Sequence, residues 1–170
     1  TGTMPVLEKH AIDSAVLQEY MRANVNGFDG KIAIEEFKGG QSNPTYKVVT
    51  PSKSYVLRRK PPGKLLKSAH AVDREYRVIT ALNKTDVPVP TSYALCEDES
   101  IIGTPFYLME YMDGRVLWDA SMNDHSKEES YGVYSSMNST MASLHSVDPY
   151  EIGLETFGKP GNYVGRQVSI

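Results

Sequence analysis

Cysteine occurs once in this chain, at position 96, which excludes an internal disulfide and any zinc centre built from cysteine thiolates. No apolar run approaches the roughly 20 residues needed to span a bilayer, and the N-terminal stretch has no signal-peptide core. A soluble, cytoplasmic chain with no membrane partner is therefore expected. Lysine and arginine never form a long run, and the formal net charge is −3, which argues against non-specific nucleic-acid binding. The densest basic run, Arg58-Arg59-Lys60, reads as a strand end with a solvated face. Internal repeats and low-complexity tracts are also absent. The 170 residues suggest a single domain, and at 40% hydrophobic they suffice for a core.

Residues Phe37 to Arg58 carry the first positive signal. They read as a strand, a loop Gly39-Gly40-Gln41-Ser42-Asn43-Pro44-Thr45-Tyr46, a strand Lys47-Val48-Val49-Thr50, a turn at Pro51-Ser52-Lys53, and a strand Tyr55-Val56-Leu57-Arg58. Two adjacent glycines let the backbone come close to a ligand, and Ser42, Asn43 and Thr45 add hydroxyl, amide and main-chain donors suited to an anion. An ordinary hairpin, with glycines serving turn geometry alone, is the competing reading.

Ser68 to Lys84 has helical periodicity, with Ser68 as N-cap. At about 100° per residue Val72, Tyr76, Ile79 and Leu82 share one face, which Val78 and Ala71 widen. Glu75 is the charged residue inside that apolar face. An ionised carboxylate directed at a core needs a cation on the surface it meets, and Arg58 is the candidate. The alternative is a Glu75 at the margin of the stripe, reaching out to water.

A glycine loop, a strand ending in a cation and a helix with an inward glutamate, in that order, describe the small lobe of a protein-kinase-like fold. More narrowly, Phe37 to Tyr46, Tyr55 to Gly63 and Ala71 to Tyr76 resemble the aminoglycoside phosphotransferase and choline kinase-like family, nearest the kinase-like domains fused to some eukaryotic acyl-coenzyme A dehydrogenases. The resemblance covers roughly residues 30 to 168. It implies that Gly39, Gly40, Ser42, Asn43 and Thr45 cradle the phosphates of ATP, that Arg58 binds them, and that Glu75 orients Arg58. The family's usual strand lysine is Arg58 here, a planar fork in place of a point charge.

Further along, Val87-Pro88-Val89-Pro90 forces an extended crossing, Ser92 to Cys96 reads as a strand, and Glu97 to Ser100 as a polar turn. Pro105 to Met109 is apolar enough for a buried strand. By resemblance it leads to a hinge, where the main chain of Glu110, Tyr111 and Met112 takes the adenine. Ser126 and Glu129 have capping-box spacing, and the helix after them is expected to bury Val133, Tyr134, Met137, Met141 and Leu144 and to end before Pro149. The glycine-rich stretch 158–167 is expected to be irregular. Ahead of the glycine loop, residues 13–25 have a helical seam of Ile12, Val16, Leu17, Tyr20 and Met21, followed by turns at Asn26-Gly27 and Asp29-Gly30.

The family also implies a His-Gly-Asp segment followed by an asparagine, and a later aspartate, to orient the acceptor hydroxyl and hold magnesium. Neither occurs in this sequence. His145-Ser146-Val147-Asp148 lacks the glycine and the downstream asparagine, and reads as a helix end. No catalytic and no metal-binding residue is therefore assigned. Magnesium ligands and contacts to a small hydroxyl acceptor are expected beyond residue 170, and the chain alone is expected to be inactive.

The expectation is an α+β fold: an N-terminal helix and lead-in (1–30), a nucleotide-binding small lobe with a five-stranded antiparallel sheet, a packed helix and a hinge (31–112), and the start of a helical large lobe (113–170). The implied function is the ATP-binding part of a small-molecule kinase. Two alternatives stand beside it, a non-catalytic kinase-like binding or regulatory module and a protein–protein interaction domain without a nucleotide site.

Overall fold

Side chains along β3 (Thr45–Val49) alternate between fully buried Tyr46 and Val48 and half-buried Thr45, Lys47 and Val49, the period of a strand with two unlike faces. In this computed structural model, which describes residues 2–39, 43–63, 70–159 and 161–168, that strand lies inside one antiparallel sheet. Its companions are β1 (Thr3–Met4), β2 (Ala33–Phe37), β4 (Ser54–Arg59), β5 (Ser92–Cys96) and β6 (Phe106–Glu110), in the order β1-β2-β3-β4-β6-β5. Among the described residues the sheet has six strands, where the sequence suggested five. The addition is β1, which pairs Thr3 with Phe37 and Met4 with Glu36. Two residues are too few to display an alternating pattern, so nothing in the sequence marks this edge.

Register sorts the side chains. Tyr46 faces Leu57 and Leu57 faces Leu108, whereas Thr45 faces Arg58, and Arg58 faces Tyr107. Partners directly opposite share a face, so Arg58 and Leu57 point to opposite sides.

The Leu57 side is the core. It packs under α1 (Ser14–Asn24) and the short α3 (Glu99–Ile102). Asp13 caps α1, accepting from Ala15 N at 2.9 Å and Val16 N at 3.2 Å, and Leu17 and Met21, one turn apart, are fully buried. Tyr20 meets Phe106 edge-on with centroids 5.1 Å apart and donates to Leu95 O at 3.1 Å. Val16 stays 39% exposed, so the seam is narrower than its spacing suggested. Residues expected to form a plain polar turn supply α3, with Asp98 accepting from Ser100 N and Gly103 closing it at φ +86°.

The Arg58 side is crossed by α2 (Val72–Leu82), which packs on β5 and β6 and buries Val72, Ala81 and Leu82. Tyr76 and Ile79 are only half-buried. The helix starts at Val72, and Ser68, the expected cap, lies outside the described residues. His70, just ahead, has φ +60°, a left-handed conformation that an α-helix cannot include.

Beyond β6, α4 (Lys127–His145) begins with the expected capping box between Ser126 and Glu129 and stops before Pro149. The expected burial of its apolar stripe is not found: no residue of α4 is buried, and Tyr134, Met137, Met141 and Leu144 are each more than 40% exposed. The stripe meets no opposing layer among the described residues. A short α5 (Tyr163–Val168) forms where irregular chain was expected. Among the described residues no helix is long and apolar enough to cross a membrane.

Candidate functional site

Strand pairing and helix packing bring Arg58 and Glu75 together. Arg58 Nε lies 3.0 Å from Glu75 Oε2 and Nη2 lies 3.4 Å from Oε1. The Nε hydrogen is not aligned on the carboxylate, so this pair is held by charge with one long hydrogen bond. Both side chains are about one-third exposed, and the attraction is screened accordingly. Two neutral donors reinforce it. Tyr107 Oη donates to Glu75 Oε2 at 3.0 Å, and Asn43 Nδ2 donates to Oε1 at 3.0 Å. Burial, and then the adjacent Glu75 carboxylate, push the Tyr107 hydroxyl well above the ordinary tyrosine range, which keeps it a donor. Nε and Nη2 are turned to Glu75, and among the described residues Nη1 makes no hydrogen bond.

Asn43 comes from the turn after β2 and is 5% exposed. Its amide is engaged at both ends, by Glu75 on one side and by His70 Nδ1, at 2.9 Å from Asn43 Oδ1, on the other. Thr45 Oγ1 donates to Asn43 O at 3.0 Å. Gly39 is exposed at φ +89°, and a Cβ placed there would come 3.7 Å from Trp118 Cη2. Positive φ is what glycine supplies at this turn. Gly40 and Ser42 lie outside the described residues.

At the other end of this face, β6 runs out through Glu110, Tyr111 and Met112. A cavity of about 170 Å³ opens there, lined by Phe37, Val56, Met109, Tyr111, Met112 and Gly114. The rings of Phe37 and Tyr111 stack across it, 6.3 Å apart and 18° from parallel. Glu110 is turned to Thr91, whose N–H and Oγ1 donate to Oε2 at 3.0 and 2.8 Å. Those two bonds hold its carboxyl below the usual range.

Lys47 also reaches this end, with Nζ 4.2 Å from the Tyr111 centroid. Sequence reading passed over it, although the β3 alternation that buries Tyr46 and Val48 already places Lys47 with Thr45. Beside α2 a larger cavity of about 560 Å³ is lined by Arg58, Glu75, Val78, Ile79, Tyr107 and Phe157. Among the described residues no group of three or more His, Cys, Asp or Glu side chains could hold a metal ion.

Three kinds of likeness bear on this arrangement. Residues 33–169 match the profile of the phosphotransferase enzyme family. The chain is 45% identical over 167 residues to a probable acyl-CoA dehydrogenase of Arabidopsis thaliana, covering 94% of this chain and 20% of that protein. It is 44% identical over 168 residues to acyl-CoA dehydrogenase family member 10 of Mus musculus, covering 98% of this chain and 16% of that protein. A crystal structure of a Ralstonia eutropha protein assigned as an aminoglycoside phosphotransferase superposes with a TM-score of 0.80 at 50% identity, covering 94% of this chain and 46% of that one. The chain thus spans at most a fifth of these two relatives and just under half of the solved structure.

Proposed function

This chain belongs to the phosphotransferase enzyme family, and from that premise we propose that it forms the ATP-binding part of a small-molecule kinase. The Arg58–Glu75 pair, braced by Tyr107 and Asn43, carries this reading. It supplies a cation on the same sheet face as the small cavity beside the stacked Phe37 and Tyr111 rings. In the proposed arrangement Glu110, Tyr111 and Met112 take the base through their main chain. Arg58 takes the phosphates, helped by Gly39, Gly40, Ser42 and Thr45. Asn43 contributes its main chain there, because its side chain is engaged with Glu75 and His70.

The division proposed is a lead-in (1–30), a nucleotide lobe (31–112) and a helical continuation (113–170). The described residues offer no donor set that fits magnesium, so no step through that ion is assigned to them. Transfer of the terminal phosphate to a hydroxyl acceptor would require groups other than these, and the chain by itself is proposed to bind without turnover.

Titration calorimetry tests this. ATP is expected to bind with nearly the same affinity in magnesium and in chelator, and to raise the melting temperature. Arg58→Ala is expected to weaken binding by about tenfold or more, the loss of a hydrogen bond to a charged group. Absence of any ATP-induced thermal shift would overturn nucleotide binding. Phosphate release above the blank, abolished by Arg58→Ala, would overturn the assignment of binding without turnover.

A further inference from the structure

His70 is held at φ +60°, a region that non-glycine residues occupy only when neighbouring contacts fix them there. Those contacts are present. Its carbonyl accepts Val72 N at 2.9 Å, just ahead of the first turn of α2, and its Nδ1 lies 2.9 Å from Asn43 Oδ1. Asn43 then donates to Glu75 Oε1 at 3.0 Å. The direction of this chain follows from its acidic end. An ionised carboxylate only accepts, so the Asn43 amide turns its NH₂ to Glu75 and its oxygen to His70, and His70 must carry hydrogen on Nδ1. Asn43, after β2, is joined this way to both the lead-in and the body of α2, with separations of 27 and 32 residues across the two bonds.

We propose that His70 and Asn43 are positioning residues that form a latch on the Glu75 carboxylate, so that Glu75 is held where it presents Arg58 to phosphate. This rests on the ATP reading. Releasing Asn43 removes one of the two neutral donors on Glu75. The cavity beside the stacked Phe37 and Tyr111 rings uses neither residue. The latch therefore acts on phosphate recognition and not on base recognition.

The informative variant is His70→Gly, which deletes the imidazole while glycine accepts the positive φ without strain. ATP and adenosine affinities are measured by calorimetry on the 170-residue chain for wild type, His70→Gly, Asn43→Ala and the double variant. ATP affinity is expected to fall about three- to tenfold in each single variant, the worth of one hydrogen bond. Adenosine affinity is expected to stay within about twofold, and the double variant to lose no more than the weaker single one, because both act through one contact. Equal loss for both ligands, or additive loss of ATP affinity in the double variant, overturns the latch. If wild type binds neither ligand, the ATP reading has failed, and denaturation of the same four proteins decides the latch separately. Coupling between positions 43 and 70 supports it, and additive effects on stability overturn it.

Discussion

Arg58 and Arg59 are neighbours on β4, and strand geometry sends them to opposite faces of the sheet. Arg58 reaches Glu75, whereas Arg59 is 5% exposed and donates Nε to Thr104 Oγ1 at 2.9 Å. The sequence suggested a solvated basic run, and for Arg59 that is incorrect. Its partner lies 45 residues away, and no local pattern signals it. Glu75 was legible because a charge interrupts an apolar helical stripe, and Arg58 because it ends the facing strand. His70 and the side-chain role of Asn43 were not, since they depend on each other across two turns. Arg59 also bears on Tyr46, whose hydroxyl donates to His10 O at 3.1 Å. Burial raises the Tyr46 pKa to about 12, opposed by Arg59 and reinforced by the Glu36 carboxylate. The folded state then holds this proton where the unfolded chain, with an ordinary tyrosine pKa near 10, releases it. More protons bound when folded means stability falls as pH rises, here from about 10 through about 12. Urea melts across that window should show a steep loss for wild type and a shallower one for Tyr46→Phe. At neutral pH the variant is expected to be about 1 kcal/mol less stable, for the lost bond to His10 O. Equal slopes for the two proteins would remove Tyr46 as a cause.

Among the elements, those with a long, clean period were legible: β3 and β4, the Asp13-capped α1, the middle of α2, and the Ser126 capping box. Elements made by tertiary contact were not. β1 exists because β2 offers an edge, and the start of α2 is displaced to Val72 by the strained His70. The placement of the segment after α4 was equally hidden. There Arg74 Nη1 donates to Phe157 O at 3.1 Å, with its guanidinium 3.9 Å from the Phe157 ring centroid. Arg77 Nη2 donates to Thr156 Oγ1 at 2.6 Å and Gly153 O at 3.3 Å. The polar side of α2 is thus a bracket for residues 153–157, and Phe157 lines the cavity next to Arg58 and Glu75. Replacing both Arg74 and Arg77 by alanine should leave the sheet core intact and free this segment. Amide exchange would then speed up in residues 153–157 while Tyr46, Leu57 and Leu108 keep their protection. Unchanged exchange in 153–157 would show that the arginines do not hold it.

For the molecule as a whole, apolar area is distributed unevenly. The sheet, α1 and α3 enclose a core whose largest side chains are fully buried, whereas α4 leaves Tyr134, Met137, Met141 and Leu144 exposed on successive turns. Spacing alone reads that stripe as core, because periodicity reports that a face is apolar and not whether anything covers it. The stripe is adjacent to no other apolar layer among the described residues, so water contact along it is unfavourable by roughly 25 cal/mol for each Å² that association could remove. Methionine suits such a face, since its flexible side chain adapts to a surface that is not preformed. Two copies of α4 laid side by side would cover both stripes at once, and this self-pairing needs no segment beyond those present. Sedimentation velocity of the 170-residue chain is therefore expected to show a concentration-dependent dimer. Met137→Glu with Met141→Lys should return it to monomer with helicity nearly unchanged, because neither position is buried within the chain. A wild-type chain that stays monomeric across the accessible concentration range, or a dimer that survives both substitutions, would rule out this face as the point of contact.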